Sequence, residues 1–372
     1  MLSVFRPSVT QREIDAVVET LRSGWIGLGP KTAEFEKRFA EFVQVPHAVG
    51  TSSDTAALSL ALQVLGVGPG DEVLVPTITF VSTAHVACYN GATPVFVDVD
   101  RQTLNMDLAD AQRRLTPRTK AVIPVHYAGR PVDIAALRAA VGAIWIVEDC
   151  AHAAGSLLHG RPAGSLGDIG CFSFHAVKNI AMGDGGALVC SRQDWAARAK
   201  RLRWMGIDKD TWNRSCGGRT YWWEYRVTEI GQKFHMNDIA AALGLVQLER
   251  LQETNGRRRE IVRRYFDELS DLPWLQLPPP DTPTSQSAWH LFCVQCDCRN
   301  ELATYLMERG VATSVHYYPI HMHPCYGNTV ALPVAEEVWQ RILTLPLYPD
   351  MTDADVALVT GLIKEFEPGS AP

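Results

Sequence analysis

The chain has 372 residues, 47% hydrophobic and 20% charged, enough apolar material for a sizeable core and too much for wholesale disorder. Lys plus Arg number 35 against 41 Asp plus Glu, a net charge of −6, so there is no electrostatic footprint for nucleic acid or an anionic membrane, although a local site for a small anion stays open. The nine Cys are odd in number, Met1 to Pro7 has no basic start followed by an apolar run, and no apolar stretch reaches the roughly 18 residues that span a bilayer; a reduced, soluble, cytoplasmic protein is expected.

The length suggests about two to three domains, or one large domain with a smaller companion. From about residue 47 to 190, short apolar runs at 48–50, 72–75, 94–98, 121–125, 143–148, 170–174 and 186–190 read as strands. They lack strict alternation, as do strands buried on both faces of a largely parallel sheet. Helical patterns at 55–65, 108–115 and 133–140 lie between them, giving an α/β sheet covered on both sides. A long helical stretch follows at 237–269, with Asn255-Gly256 expected to break or bend it. The Pro-rich segment 271–287 reads as a connection. A strand at 291–294, a helix at 300–309, a strand near 313–317 and a last helix after Thr352 make a small α+β domain. The expected division is 1–250, a large domain with its N-terminal segment, and 251–372, a small one. There is no internal repeat and no low-complexity tract.

In an open α/β sheet, ligands bind beyond the carboxyl ends of the strands. After the first strand comes Thr51-Ser52-Ser53-Asp54-Thr55 and then a helix, either an anion site or an ordinary N-cap. After the fifth comes Glu148-Asp149-Cys150-Ala151-His152, whose carboxylates are expensive to bury without a cationic partner. After the sixth comes Ser173-Phe174-His175 and then Lys178-Asn179, followed by a Gly-rich turn at 183–186. A buried lysine has a lowered pKa and a free amine for Schiff-base chemistry; a solvated one has neither. Together, a phosphate cradle, a buried carboxylate and a lysine match what pyridoxal phosphate requires.

With these residues in view the chain resembles the DegT/DnrJ/EryC1/StrS sugar aminotransferases, within the fold-type I pyridoxal-phosphate enzymes. The resemblance runs nearly end to end. It rests on Ser23-Gly24-Trp25-Ile26-Gly27-Leu28-Gly29-Pro30 with Phe35-Glu36, on 50–58, on 148–152, on Phe172 to Asn179, on His316-Tyr317 with Pro319 and His321, and on Leu345-Pro346-Leu347-Tyr348-Pro349. It implies a large domain with a mostly parallel seven-stranded sheet and a smaller C-terminal α+β domain. Lys178 matches the Schiff-base lysine and Asp149 the partner of the pyridine nitrogen, the two catalytic residues. His152 stands near the phenolic oxygen of the cofactor, Ser173, Ser53, Asp54 and Thr55 at its phosphate, and Phe80 on its ring face. Trp25, His316, Tyr317 and His321 are implied on the substrate side.

Two departures from the family pattern matter. Asp54 replaces a common Gly in the phosphate loop, so only its backbone is expected to serve there, since a carboxylate would repel a phosphate. Gly231-Gln232-Lys233-Phe234-His235-Met236 replaces a family segment that reaches into the partner subunit's site, putting Lys233 near the partner's cofactor phosphate.

Cys293, Cys296 and Cys298 lack paired CxxC spacing and read as packing, and no metal site is expected. The pair His321 and His323 reads as substrate contact or structure. Trp204, Trp212, Trp222 and Trp223, with Arg214, Gly217-Gly218 and Arg219 nearby, read equally as an active-site loop or a dimer contact. The implied function is amination of a nucleotide-linked keto sugar by a homodimer with shared active sites. Glutamate would donate the amino group and leave as 2-oxoglutarate, and neither nucleic acid nor membrane would be a partner. Lys178 favours transamination over the dehydration run by relatives with His at that position. The alternatives are the same chemistry on a keto-cyclitol or other ketone, or a silent pyridoxal-phosphate-binding regulatory protein.

Overall fold

Seven strands form the central sheet: β1 (His47–Thr51), β2 (Glu72–Pro76), β3 (Thr93–Val97), β4 (Thr119–Val122), β5 (Trp145–Asp149), β6 (Ile169–Ser173) and β7 (Gly186–Cys190). Their order is β1-β7-β6-β5-β4-β2-β3, parallel from β6 to β3, with β7 antiparallel to both neighbours. The structure, a computed structural model, describes residues 1–208, 224–327 and 330–369. The expected fold class and all seven strands are present. The chain reverses at β7, so Ser173, Gly186 and Thr51 align across three strands at one edge. That edge is also the carboxyl end of β5, where Asp149 sits.

The first two helices, which the periodicity reading passed over, are set by their ends. Thr10 and Glu13 form a capping box for α1 (Gln11–Ser23), and Gly24 closes it in the left-handed conformation. Pro30 opens α2 (Pro30–Val43). The later helices of the large layer are α3 (Asp54–Val64), α4 (Ser82–Tyr89), α5 (Leu108–Arg113), α6 (Ile134–Val141) and α7 (Gln193–Leu202). The long helix, α8 (Asp238–Leu269), packs against both α1 and α2.

Two expectations are corrected. Helix α8 runs unbroken through Asn255-Gly256. Gly in a helix costs only about 1 kcal/mol, and Asn255 is buried, with its amide donating to Ala154 O and accepting from Asn179. Tertiary bonding therefore outweighs local preference, and residue 250 lies inside this helix. The segment near 313–317 is no strand either: it makes a single bridge, Ser314 to Thr344. The small sheet pairs β8 (Phe292–Gln295) with β9 (Ile342–Leu345), and α9 (Arg299–Glu308), α10 (Pro333–Val338) and α11 (Asp353–Glu365) complete the C-terminal part. Among the described residues no helix is long and apolar enough to cross a membrane. Trp212, Trp222, Trp223, Arg214, Gly217, Gly218 and Arg219 lie outside the described residues.

Candidate active site

A cavity of about 400 Å³ opens at the carboxyl ends of β5 and β6. Lys178 lies in the loop between β6 and β7, which is pinned at both ends: Phe174 N–H donates to Gly185 O, and Met182 N–H to Phe174 O. Burial pushes the Lys178 ammonium down to about 8, against the pull of Asp149, so a useful fraction is free amine near neutral pH. A larger groove of about 870 Å³ beside α2 and α7 holds the ion pairs of Glu36 with Lys200 and Arg203 and lacks this constellation.

Asp149 ends β5 and is 3% exposed. Its Oδ2 accepts from Thr83 Oγ1 at 2.9 Å and its Oδ1 from Ala151 N–H at 3.1 Å. Thr79 is 3.1 Å from Thr83 and, since the Thr83 proton is committed to Asp149, Thr79 is the donor. Burial raises the Asp149 carboxyl pKa, partly offset by these bonds.

Behind Asp149 lies a fully buried strut. His126 Nδ1 accepts from Val132 N–H, so its Nε2–H donates to Glu148 at 2.9 Å. Glu148 also accepts from the N–H groups of Gly164, Leu166 and Gly167. These two and Cys150 cluster closely enough to hold a metal. The histidine nitrogens and both carboxylate oxygens are already engaged, and burial pushes the Cys150 thiol well up. The cluster therefore serves to hold the β5 end rigid.

His152 faces the cavity neutral, its pKa held well below the usual value by burial. Its Nδ1 accepts from Ala128 N–H at 3.3 Å and its Nε2 is 3.2 Å from the Tyr317 hydroxyl. On the opposite rim Phe80 is 59% exposed, its ring 6.3 Å from that of Tyr317. An exposed aromatic on a cavity wall offers a face for a flat ring.

Helix α3 supplies the anion end. Ser53 caps it by accepting from Ala56 N–H at 3.1 Å. The N–H groups of Asp54 and Thr55 have no acceptor among the described residues and point from a helix N-terminus. A Cβ on Gly186 would come within 2.5 Å of Asp54 N, so only glycine lets β7 approach this turn. Ser173 lies beside it on the same cavity wall.

Ten of the thirteen residues expected at the site line this one cavity: Lys178, Asp149, His152, Ser173, Ser53, Asp54, Thr55, Phe80, His316 and Tyr317. The other three do not. His321 is 1% exposed, with its ring nitrogens on Thr77 at 2.7 Å and Glu336 at 3.3 Å, so it ties the C-terminal segment to β2. Trp25 bonds to Leu28 O beside the start of α2. Lys233 sits with its ammonium 3.5 Å from the centre of the Trp204 ring. Thr83 and Thr79 were missed; their only trace in the sequence is a run of hydroxyl residues after β2.

The family model for DegT/DnrJ/EryC1/StrS aminotransferases matches residues 7–364. This chain belongs to that family. The aminotransferase is 42% identical to the spore coat polysaccharide biosynthesis protein SpsC of Bacillus subtilis, over 98% of this chain and 96% of that one. It is 41% identical to the dTDP-4-dehydro-2,3,6-trideoxy-D-glucose 4-aminotransferase of Saccharopolyspora spinosa, over 96% and 95%. It superposes on the PLP-form of the sugar aminotransferase Spr1654 of Streptococcus pneumoniae with a TM-score of 0.90, 35% identity and 97% coverage of each chain. Pyridoxal phosphate is the cofactor of the aminotransferase. The cavity fits it: two N–H groups unpaired among the described residues for a phosphate, a half-buried amine for an aldehyde, and a buried carboxylate for a ring nitrogen.

Proposed function

We propose that this aminotransferase moves the amino group of glutamate onto the keto carbon of a sugar linked to a nucleoside diphosphate. The observation that carries the reading is the meeting of half-buried Lys178 and buried Asp149 in one cavity that also receives the open end of α3. Bound pyridoxal phosphate supplies an aldehyde carbon that links to an amine and a ring that takes up the electron pair left when a C–H bond breaks. Lys178 holds the cofactor at rest. Displaced by the amino donor, its free amine moves a proton between the donor α-carbon and the cofactor C4′. Asp149 keeps a proton on the ring nitrogen, and the Thr79–Thr83 chain fixes its orientation. The Asp54 and Thr55 N–H groups, with Ser173, hold the phosphate. One site serves donor and acceptor in turn.

The nucleotide-linked substrate is supported by the relative that acts on a dTDP sugar. A homodimer is supported by apolar side chains left in water, Ile230 at 94% exposure beside Val227, next to Lys233. In that reading Lys233 leaves Trp204 for the partner's cofactor phosphate, where its charge makes a bond roughly twice as strong as a neutral amide would. The protein would work in the cytoplasm.

The test is amino transfer from glutamate to a dTDP-linked keto sugar, followed as release of 2-oxoglutarate. Lys178→Ala should abolish it in a folded protein, and Asp149→Asn should lower kcat by about 10²–10³. Ordinary rates in Lys178→Ala would overturn the role of that residue, and turnover of a free keto-cyclitol in place of the dTDP sugar would overturn the nucleotide. Mixing inactive Lys178→Ala subunits with inactive Lys233→Glu subunits should restore one working site per hybrid. No recovery in confirmed hybrids would overturn the role of Lys233 in the partner's site.

A further inference from the structure

Asp54 does not behave as the sequence suggests. It is the first residue of α3, yet its side chain is 7% exposed and lies against the carboxyl of Asp149 inside the cavity. Its Oδ1 is buried without a hydrogen-bond partner among the described residues. Two carboxyl groups in contact away from water cannot both be ionised at modest cost. Asp149 is equipped to be the anion: a hydroxyl donates to one oxygen and an N–H to the other. Among the described residues no such donor reaches Asp54 Oδ1. A neutral acid there needs only one acceptor for its O–H, and Asp149 supplies it.

We propose that Asp54 is a positioning residue held as a neutral carboxylic acid, donating its proton to Asp149 so that the two share a single negative charge. A carboxylate offers about four acceptor sites. Thr83, Ala151 and Asp54 fill three, which leaves one for the ring nitrogen of the cofactor. Asp54 thereby fixes the angle at which Asp149 meets that nitrogen. Being uncharged, it does not repel the phosphate held by the N–H groups a few ångströms of backbone away. This meaning for the cofactor rests on the reading of Asp149 given above; the protonation of Asp54 does not.

The groups that face Asp54 come from three elements: Asp149 and Cys150 at the end of β5, Cys171 in β6 and Lys178 in the loop after β6. The thiols are held protonated by burial, and among the described residues Lys178 is the cation that faces Asp54. The dipole of α3 favours an anion at its first residue, but that pull belongs to the N–H groups, which a bound phosphate takes up. Burial and the Asp149 charge both push the Asp54 acid toward its protonated form.

The test uses the full-length protein stripped of cofactor and then reloaded, comparing the wild type with Asp54→Asn. The amide keeps the shape and a donor for Asp149 but has no proton to lose. The infrared spectrum of the wild type near neutral pH should contain a protonated-carboxyl stretch that Asp54→Asn lacks, with or without cofactor. A group whose pKa is raised by folding stabilises fully at low pH and loses that contribution as pH rises through its folded pKa. Asp54→Asn should therefore match the wild-type Tm near or below about pH 4 and exceed it increasingly as pH rises from there toward the folded pKa. Absence of the stretch from the wild type, or Tm curves that run parallel across the range, would overturn the proposal. Both measurements read out on the stripped protein, so their failure is separate from failure of the cofactor assignment. Asp54→Gly, which removes the donor, should in addition weaken cofactor binding more than Asp54→Asn; equal binding by the two variants would overturn the positioning role.

Discussion

The Tyr317 hydroxyl lies 3.2 Å from His152 Nε2, and the proton between them belongs to the histidine. Ala128 N–H occupies Nδ1, so the neutral ring carries its hydrogen on Nε2 and donates to the tyrosine oxygen. The tyrosine's own O–H is then free to point into the cavity that both residues line. His152 thus orients a donor that belongs to Tyr317.

This ordering sets the expected kinetics. His152→Gln preserves a donor to Tyr317 and should keep most of kcat. Tyr317→Phe removes the hydroxyl facing the cavity and should lower kcat/KM by about 1–3 kcal/mol, the usual cost of an unpaired buried group. Steady-state kinetics of the two variants check this. A His152→Gln loss as deep as that of Lys178→Ala would mean that the imidazole itself carries a proton.

Neutral histidines give the fold an acid limit. Burial pushes His316 down to about 4 and holds His152 and His290 well below their usual value. In the unfolded chain all three protonate near pH 6.5. A depressed folded pKa means that their contribution is complete above about pH 6.5 and is lost as pH falls toward the folded values, by up to about 1.4 kcal/mol per unit and group. Urea unfolding at about pH 7.5 and 5.5 should show the loss, and His290→Gln should flatten the slope by one group's share. An unchanged slope in that variant would mean that His290 titrates normally.

Gly186→Ala places a methyl within 2.5 Å of Asp54 N and against the Ser53 carbonyl carbon, both of them backbone atoms that cannot swing aside. The turn before α3 must shift, at a cost of about 1–3 kcal/mol. Because that turn carries the two open N–H groups, pyridoxal-phosphate affinity should fall more than thermal stability does, as fluorescence titration beside calorimetry would show. Loss of stability with unchanged affinity would mean that the turn relaxes without moving its N–H groups.

Asn255→Ala removes the amide that bonds Ala154 O and Asn179 at once. Asn179 follows Lys178 directly and also donates to Ala288 O at 2.9 Å and meets His290 Nδ1 at 3.1 Å. A loss of about 1–3 kcal/mol is expected for the orphaned carbonyl and amide. Calorimetry gives the stability, and the absorbance of the cofactor-loaded variant reports whether the Lys178 loop has loosened. Full stability would mean that solvent replaces the lost bonds.

What the sequence reveals and what it hides divide along a physical line. Lys178, Asp149 and the turn at 53–55 were legible because each needs only a strand end and a residue type, both local. Asn255-Gly256 misled because breaker residues act through small local energies that a buried bond reverses. His321 misled because a motif position does not say which way a side chain turns: its ring closes onto Thr77 and Glu336. Thr83 left no more trace than a run of hydroxyl residues because it reaches Asp149 across 66 positions of chain. Asp54 was legible as a residue of the turn, while its contact with Asp149 depends on how the turn meets the end of β5.

The reversal at β7 has a consequence for how this site tolerates change. Because β7 runs against β6, the lysine-bearing loop leaves and re-enters the sheet at the same rim, and hydrogen bonds between Phe174, Gly185 and Met182 lock its two feet together. Lengthening a loop whose ends are already joined adds only about 0.6 kcal/mol of closure entropy per doubling. The exposed Gly183-Asp184 turn is thus the part of the loop open to insertion, while Asn179, Ile180 and Met182 stay buried and Ser173 and Gly186 stay in register as a fixed gate around Lys178.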